Sequence, residues 1–106
     1  MQDLTPKEVR NYLATTTPPP VLLDVREPWE YDTVNLPNSV LLPMQQIGGI
    51  KSHFPEDQEL IIICHHGVRS MHVARYLESV GFSRIINLKG GIDRWARDLD
   101  PEMPLY

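Results

Sequence analysis

Cys64 is the only cysteine in the chain, so it can neither close an internal disulfide nor run a dithiol cycle within one molecule. Any chemistry there is that of a lone thiol. The residues that follow, His65-His66-Gly67-Val68-Arg69-Ser70, are of the types a nucleophilic thiolate needs. Successive backbone N–H groups in a tight loop, where they turn inward, form an anion-binding nest. A helix starting after the loop adds the positive end of its dipole. Arg69 supplies a fixed positive charge and a planar fork of donors. Each of these favours thiolate over thiol. Gly67 suits a tight loop that needs a backbone angle closed to other residues. The plain alternative is an inert core cysteine ending an apolar strand, but the pattern Cys64-x-x-Gly67-x-Arg69-Ser70 at a strand–helix junction outweighs it.

Other residues are candidates for the same site. His65 and His66 have two open readings: protonated imidazoles that attract anions and support the thiolate, or a solvent-facing rim that contributes only backbone N–H groups. Together with Cys64 they would make a poor metal site, because three consecutive residues do not easily converge on one tetrahedral ion. No metal or other cofactor is expected. His53 and His72 read as surface residues. Asp24 and Arg26 end another expected strand on the edge that carries Cys64, and Asp24 is expected to pair with Arg69 and hold the loop in shape. Trp29 and Trp95 read as packing anchors. Gly90-Gly91 either lets the backbone approach the site or simply turns the chain.

The elements that must position these residues are legible in outline. Leu60-Ile61-Ile62-Ile63-Cys64 is apolar on both faces and β-branched, as expected of a central strand covered on both sides. Val21–Val25, Ser39–Leu42 and Arg84–Leu88 are further strand candidates. Thr5, Pro6 and Glu8 form the start signal of a first helix, with Val9 and Leu13 on one face. Ser70 to Val80 reads as a second helix with Val73, Leu77 and Val80 on its apolar face, stopped by Gly81 with Phe82 in the capping contact. Ile92, Trp95, Ala96 and Leu99 mark a last helix. Thr15 to Pro20, with three prolines, reads as a stiff connector. Alternating strands and helices predict an α/β fold with a mostly parallel central sheet and helices on both faces. In such sheets ligands bind beyond the carboxyl ends of the strands, which is where Cys64 falls.

Composition sets the bounds. A chain of 106 residues suits one domain, residues 1–106, able to bury about two-thirds of its unfolded surface. The net charge of −4 argues against a nucleic-acid partner. No apolar run approaches the roughly 18 residues of a membrane span, and Met1 to Pro6 lacks the basic start of a signal peptide. A reducing compartment, the cytoplasm, is the expectation.

These residues carry a resemblance. Cys64-His-His-Gly-Val-Arg-Ser70 resembles the active-site loop C-x-x-G-x-R-S of rhodanese-like sulfurtransferases. Leu23-Asp24-Val25-Arg26-Glu27, continued by Trp29-Glu30-Tyr31, is similar to the family's L-D-V-R-E segment. Asn87-Leu88-Lys89-Gly90-Gly91-Ile92 followed by Trp95 is similar to its N-L-x-G-G-I-x-x-W signature. The three segments lie in order within residues 21–99. One departure stands out: where many relatives read G-H-I-P-G-A, this chain reads Val34-Asn35-Leu36-Pro37-Asn38-Ser39, with Asn38 able to supply the left-handed conformation of the glycine.

The resemblance implies a rhodanese-like three-layer fold and a double displacement through a Cys64 persulfide. Sulfur would move from a small anionic donor such as thiosulfate to cyanide, a thiol or a protein. Arg69 and the N–H groups from His65 to Ser70 would stabilise the anion, and Asp24 and Arg26 would have structural duties. Two rivals share the geometry. A non-enzymatic persulfide carrier or regulatory binding module uses the same fold, although a module kept only for binding has no need of the reactive pair Cys64 and Arg69. Cysteine phosphatases and arsenate reductases use the longer loop C-x-x-x-x-x-R, and the shorter loop here makes a smaller cradle, better suited to a terminal sulfur than to a tetrahedral phosphate.

Overall fold

The strand that ends at Cys64 is the middle of the molecule. In the computed structural model, which describes residues Met1–Tyr106, the elements run β1 (Gln2–Leu4), α1 (Pro6–Thr15), β2 (Val21–Asp24), α2 (Pro28–Thr33), β3 (Val40–Leu41), a 3-10 helix (Met44–Ser52), β4 (Leu60–Ile63), α3 (Val68–Ser79), β5 (Ile85–Leu88) and α4 (Gly91–Leu99). The five strands form one sheet in the order β1-β5-β4-β2-β3, and every neighbouring pair is parallel. The expected parallel sheet with helices on both faces is what forms.

The two-residue period of a strand explains why β4 is apolar throughout. Leu60, Ile62 and Cys64 join Leu23, Val25 and Ile85 beneath α3 and the 3-10 helix, where Val73, Leu77 and Ile50 complete a core. Ile61 and Ile63 point the other way and meet Leu22, Ile86 and Leu88 beneath Val9 of α1 and Ile92 of α4. With both faces roofed, the sheet's carboxyl edge is the place left open for a site.

The helix signals hold. Thr5 Oγ1 accepts from the Glu8 N–H at 3.2 Å, and Glu8 Oε1 accepts from the Thr5 N–H at 3.0 Å. α3 closes with the Phe82 N–H donating to Leu77 O at 3.0 Å and Gly81 N–H to Glu78 O at 3.2 Å. Asn38 is left-handed, with φ of 65°. Three elements were not anticipated: β1, α2 and the 3-10 helix. α3 starts at Val68, two residues before the expected Ser70. Trp95 is half-buried against the α1–α4 core, as expected, but Trp29 is 62 % exposed and anchors no core. No helix is long and apolar enough to cross a membrane.

Candidate active site

Cys64 is the first residue past β4, and Val68 opens α3, so the thiol sits at a strand–helix junction on the open edge of the central strand. The residue is buried. Its Sγ accepts from the Gly67 N–H at 3.0 Å and lies 3.3 Å from Ser70 Oγ, itself buried. The thiol can donate to that oxygen; once ionised, it can receive the serine hydroxyl instead. Gly67 has φ of +94°, and a Cβ there would lie 2.9 Å from the Gly90 nitrogen. The loop closes this tightly only over a glycine.

α4 ties the loop from behind. The Ile92 N–H donates to Cys64 O at 2.9 Å and the Asp93 N–H to His65 O at 3.0 Å. A Cβ on Gly91 would fall 2.5 Å from Cys64 O and 2.4 Å from His65 O, so both readings of Gly90-Gly91 hold: the glycines turn the chain into α4 with positive φ, and Gly91 also lets the backbone approach closely. A peptide carries its C=O and N–H on opposite sides. Pinning these two carbonyls on α4 therefore turns the N–H groups of His65 and His66 away from α4.

The charged residues pair differently from expectation. Asp24 does not meet Arg69. Its carboxylate accepts from Arg26 Nε and Nη2 at 2.9 and 2.7 Å, and both side chains are fully buried. Arg26 also donates from Nη1 to Glu30 O at 3.2 Å and from Nη2 to Val34 O at 2.6 Å, which fastens α2 to the end of β2. Burial opposes the charge of Arg26, but its bonds to Asp24 and Tyr106 outweigh this and raise its pKa further. The partner of Arg69 is Glu30, held through both terminal nitrogens at 2.8 and 2.7 Å. The reason is reach: Asp24, two residues before Arg26, is already saturated by it, whereas α2 presents Glu30 to the loop.

His65 is half-buried and His66 exposed. Their rings lie 3.9 Å apart with planes 31° apart. Burial, reinforced by His66, pushes the His65 pKa below 6.5 against the pull of Asp93 and Glu30, which weakens the reading of His65 as a standing positive charge. His65, His66 and Asp93 bring ligand atoms within 4.8 Å of one another. The two rings are tilted on one another, however, and Asp93 Oδ2 is taken by Arg97 Nε at 2.9 Å.

Comparison with known proteins bears on this arrangement. The rhodanese-like domain family matches residues 5–98. This chain belongs to the rhodanese-like domain family. Among curated relatives, the thiosulfate sulfurtransferase GlpE of Pseudomonas syringae pv. syringae is 35% identical over 75 residues, 71% of this chain and 71% of that protein. The probable adenylyltransferase/sulfurtransferase MoeZ of Mycobacterium tuberculosis is 34% identical over 105 residues, 97% of this chain but 26% of that protein. The chain thus spans about a quarter of the length of that relative. A crystal structure of a rhodanese-like domain protein from Staphylococcus aureus superposes with a TM-score of 0.84 at 31% identity, covering 100% of this chain and 99% of that one. Both curated relatives bear the name sulfurtransferase.

Two residues of this rhodanese-like domain escaped the reading of the sequence as site residues. Glu30 was visible only as part of a family segment; a glutamate three residues after Glu27, with Pro28 at the first helical position, is a helix-start signal, and it does accept from the Glu27 N–H at 2.7 Å. Tyr106 carried no signal at all, lying beyond the last periodic stretch. Yet its hydroxyl donates to Glu30 Oε1 at 2.9 Å.

Proposed function

We propose that this rhodanese-like domain is a sulfurtransferase that carries sulfur on Cys64. In the first half-reaction the Cys64 thiolate attacks the outer sulfur of a thiosulfate-like donor. The donor's S–S bond breaks, sulfite leaves with the bonding pair, and Cys64 becomes a persulfide anion. In the second, an acceptor nucleophile (cyanide, a thiol or a protein) attacks the terminal sulfur and Cys64 leaves as thiolate. No net oxidant or reductant is consumed, and one cysteine suffices.

The observation that carries this reading is the 3.0 Å bond from the Gly67 N–H to Cys64 Sγ at the start of α3. A preorganised N–H donor and a helix N-terminus stabilise sulfur-centred negative charge without reorganisation during the reaction. Arg69 supports it by a second route. Its bonds to Glu30 use two of its five N–H donors, and its side chain is 35% exposed, so it still offers donors to an arriving anion. A reducing, cytoplasmic setting suits a persulfide intermediate. The acceptor in a longer protein containing such a domain would be set by the rest of that protein.

The test is intact-mass spectrometry after thiosulfate treatment of the wild type and Cys64→Ala. The expected result is a gain of one sulfur atom in the wild type alone, reversed by cyanide. Failure to load with any donor, together with hydrolysis of a phosphate ester, would put a phosphatase in its place. Failure of both would leave a binding module.

A further inference from the structure

Pro101–Tyr106 follows α4 and brings Tyr106 back against the loop that holds Cys64. The phenol ring lies flat on the His65 imidazole, centroids 3.8 Å apart and planes 6° apart. Its hydroxyl accepts from Arg26 Nη1 at 2.9 Å while donating to Glu30 Oε1 at 2.9 Å. Trp29 meets the ring edge-on at 5.7 Å. A hydroxyl with one donor and one acceptor has its direction set, and the stack sets the plane of the ring. The sulfur-transfer scheme uses none of this, yet the contacts fall on the residue just after Cys64 and on the carboxylate that grips Arg69.

We infer that Tyr106 is a positioning residue for sulfur transfer, clamping the Cys64–Ser70 loop at one end through the His65 ring and at the other through Glu30 and Arg69. The inference rests on the sulfur-transfer reading and deepens it. Three features favour positioning over ordinary packing. The ring lies on an imidazole and near a guanidinium, with Arg26 Cζ 5.8 Å from its centroid, rather than among aliphatic side chains alone. The hydroxyl fills the last acceptor site of Glu30, whose other three take the Glu27 N–H and two nitrogens of Arg69. The residue joins Asp24–Arg26 to Glu30–Arg69, so the chain of contacts runs from the end of β2 to the start of α3.

The two arms can be cut separately. Tyr106→Phe keeps the stack but leaves Glu30 Oε1 with Arg69 Nη2 as its one remaining donor and Arg26 Nη1 without that acceptor. Tyr106→Leu also removes the stack. The groups facing His65 are His66 beside it, Asp93 from α4, Glu30 from α2 and Tyr106 itself. Loss of the ring opens the imidazole to water and moves its titration upward.

The experiment is single-turnover loading of Cys64 from thiosulfate, followed by intact mass over a range of donor concentrations, with His65 titrated by NMR in the same proteins. Melting curves first establish that each variant is folded at the assay temperature. Tyr106→Phe should lower the maximal loading rate about fivefold, the effect of one lost hydrogen bond, with the half-saturating concentration nearly unchanged and the His65 titration in place. Tyr106→Leu should lower the rate further and raise the His65 midpoint. Wild-type rates in both folded variants would overturn the inference. If the wild type itself fails to load, the donor reading fails separately. Tyr106 is then judged on the His65 titration and on the rate of Cys64 alkylation by iodoacetamide, and no change in either overturns the inference.

Discussion

Arg69 and Glu30 meet as a two-pronged pair, Nη1 on Oε2 at 2.8 Å and Nη2 on Oε1 at 2.7 Å, across 39 residues of sequence. One end lies in the loop that follows Cys64 and the other is α2, so the pair welds the loop to that helix. The carboxylate is nearly buried and the guanidinium about one-third exposed. Attraction is strong here because water is kept from one partner while the other can still receive an anion.

Glu30→Gln therefore does more than delete a charge. It leaves Arg69 with one amide oxygen, and it presents an NH2 toward donors that need an acceptor. Stability should fall by about 3 kcal/mol, the lower end for breaking a buried pair, since Arg69 can rehydrate. Urea unfolding measures this. Loading of Cys64 from thiosulfate should slow as well, and a variant as stable as wild type would show that the pair contributes nothing.

The same carboxylate sets an acid limit. The Arg69 bonds pull the Glu30 pKa down to about 2 from an ordinary 4.5; burial works against them, and the Glu27 N–H and Tyr106 hydroxyl assist. A folded-state value below the unfolded one means stability that is fully present above about pH 5 and is lost as pH falls toward 2. Discounted for coupling and for the exposure of Arg69, the loss is on the order of 2–3 kcal/mol. Urea midpoints between pH 6 and pH 2.5 should decline in wild type and decline less in Glu30→Gln. Parallel slopes would assign the acid sensitivity elsewhere.

Asp24 and Arg26 make a second, wholly buried pair, and here the role is structural. Asp24→Ala leaves a guanidinium in the core with its α2 carbonyl contacts but no counter-charge. A cost of about 3–5 kcal/mol is expected, read as a lower urea midpoint at unchanged slope. Residual folded protein should still load sulfur, because neither residue bonds to the loop's own side chains. A stable but inactive variant would contradict this division of labour.

Much of this was written in the sequence, and the rest could not be. β4 is legible because four apolar residues fill both faces of a roofed sheet, and α1 because Thr5, Pro6 and Glu8 state its start. β1 is not, since Gln2–Leu4 is a strand only by pairing with Ile86–Leu88 at the far end of the chain. Cys64, Gly67 and Ser70 form a contiguous loop, so local pattern reveals them. The partner of Arg69 depends on where α2 lies. Spacing offers Asp24 and Glu30 equally, and only the fold shows that Arg26 has already claimed Asp24. Tyr106 reaches the site from 80 residues beyond Arg26, a distance no local period encodes.

Gly67 gives the most local test of the thiolate cradle. An alanine there must hold φ near +94°, at about 1–2 kcal/mol, with its methyl 2.9 Å from the backbone nitrogen of Gly90. The peptide would rotate to escape, and the N–H that donates to Cys64 Sγ would turn with it. Gly67→Ala should melt several degrees lower while remaining folded at 25 °C. Its Cys64 loading rate should drop at least about tenfold, the order expected for a displaced anion-stabilising donor. Gly48→Ala is the control, because nothing lies within 4 Å of a Cβ at that position; its rate and melting should match wild type. A Gly67→Ala protein that loads sulfur as fast as Gly48→Ala would mean that the Gly67 N–H does not stabilise the sulfur anion.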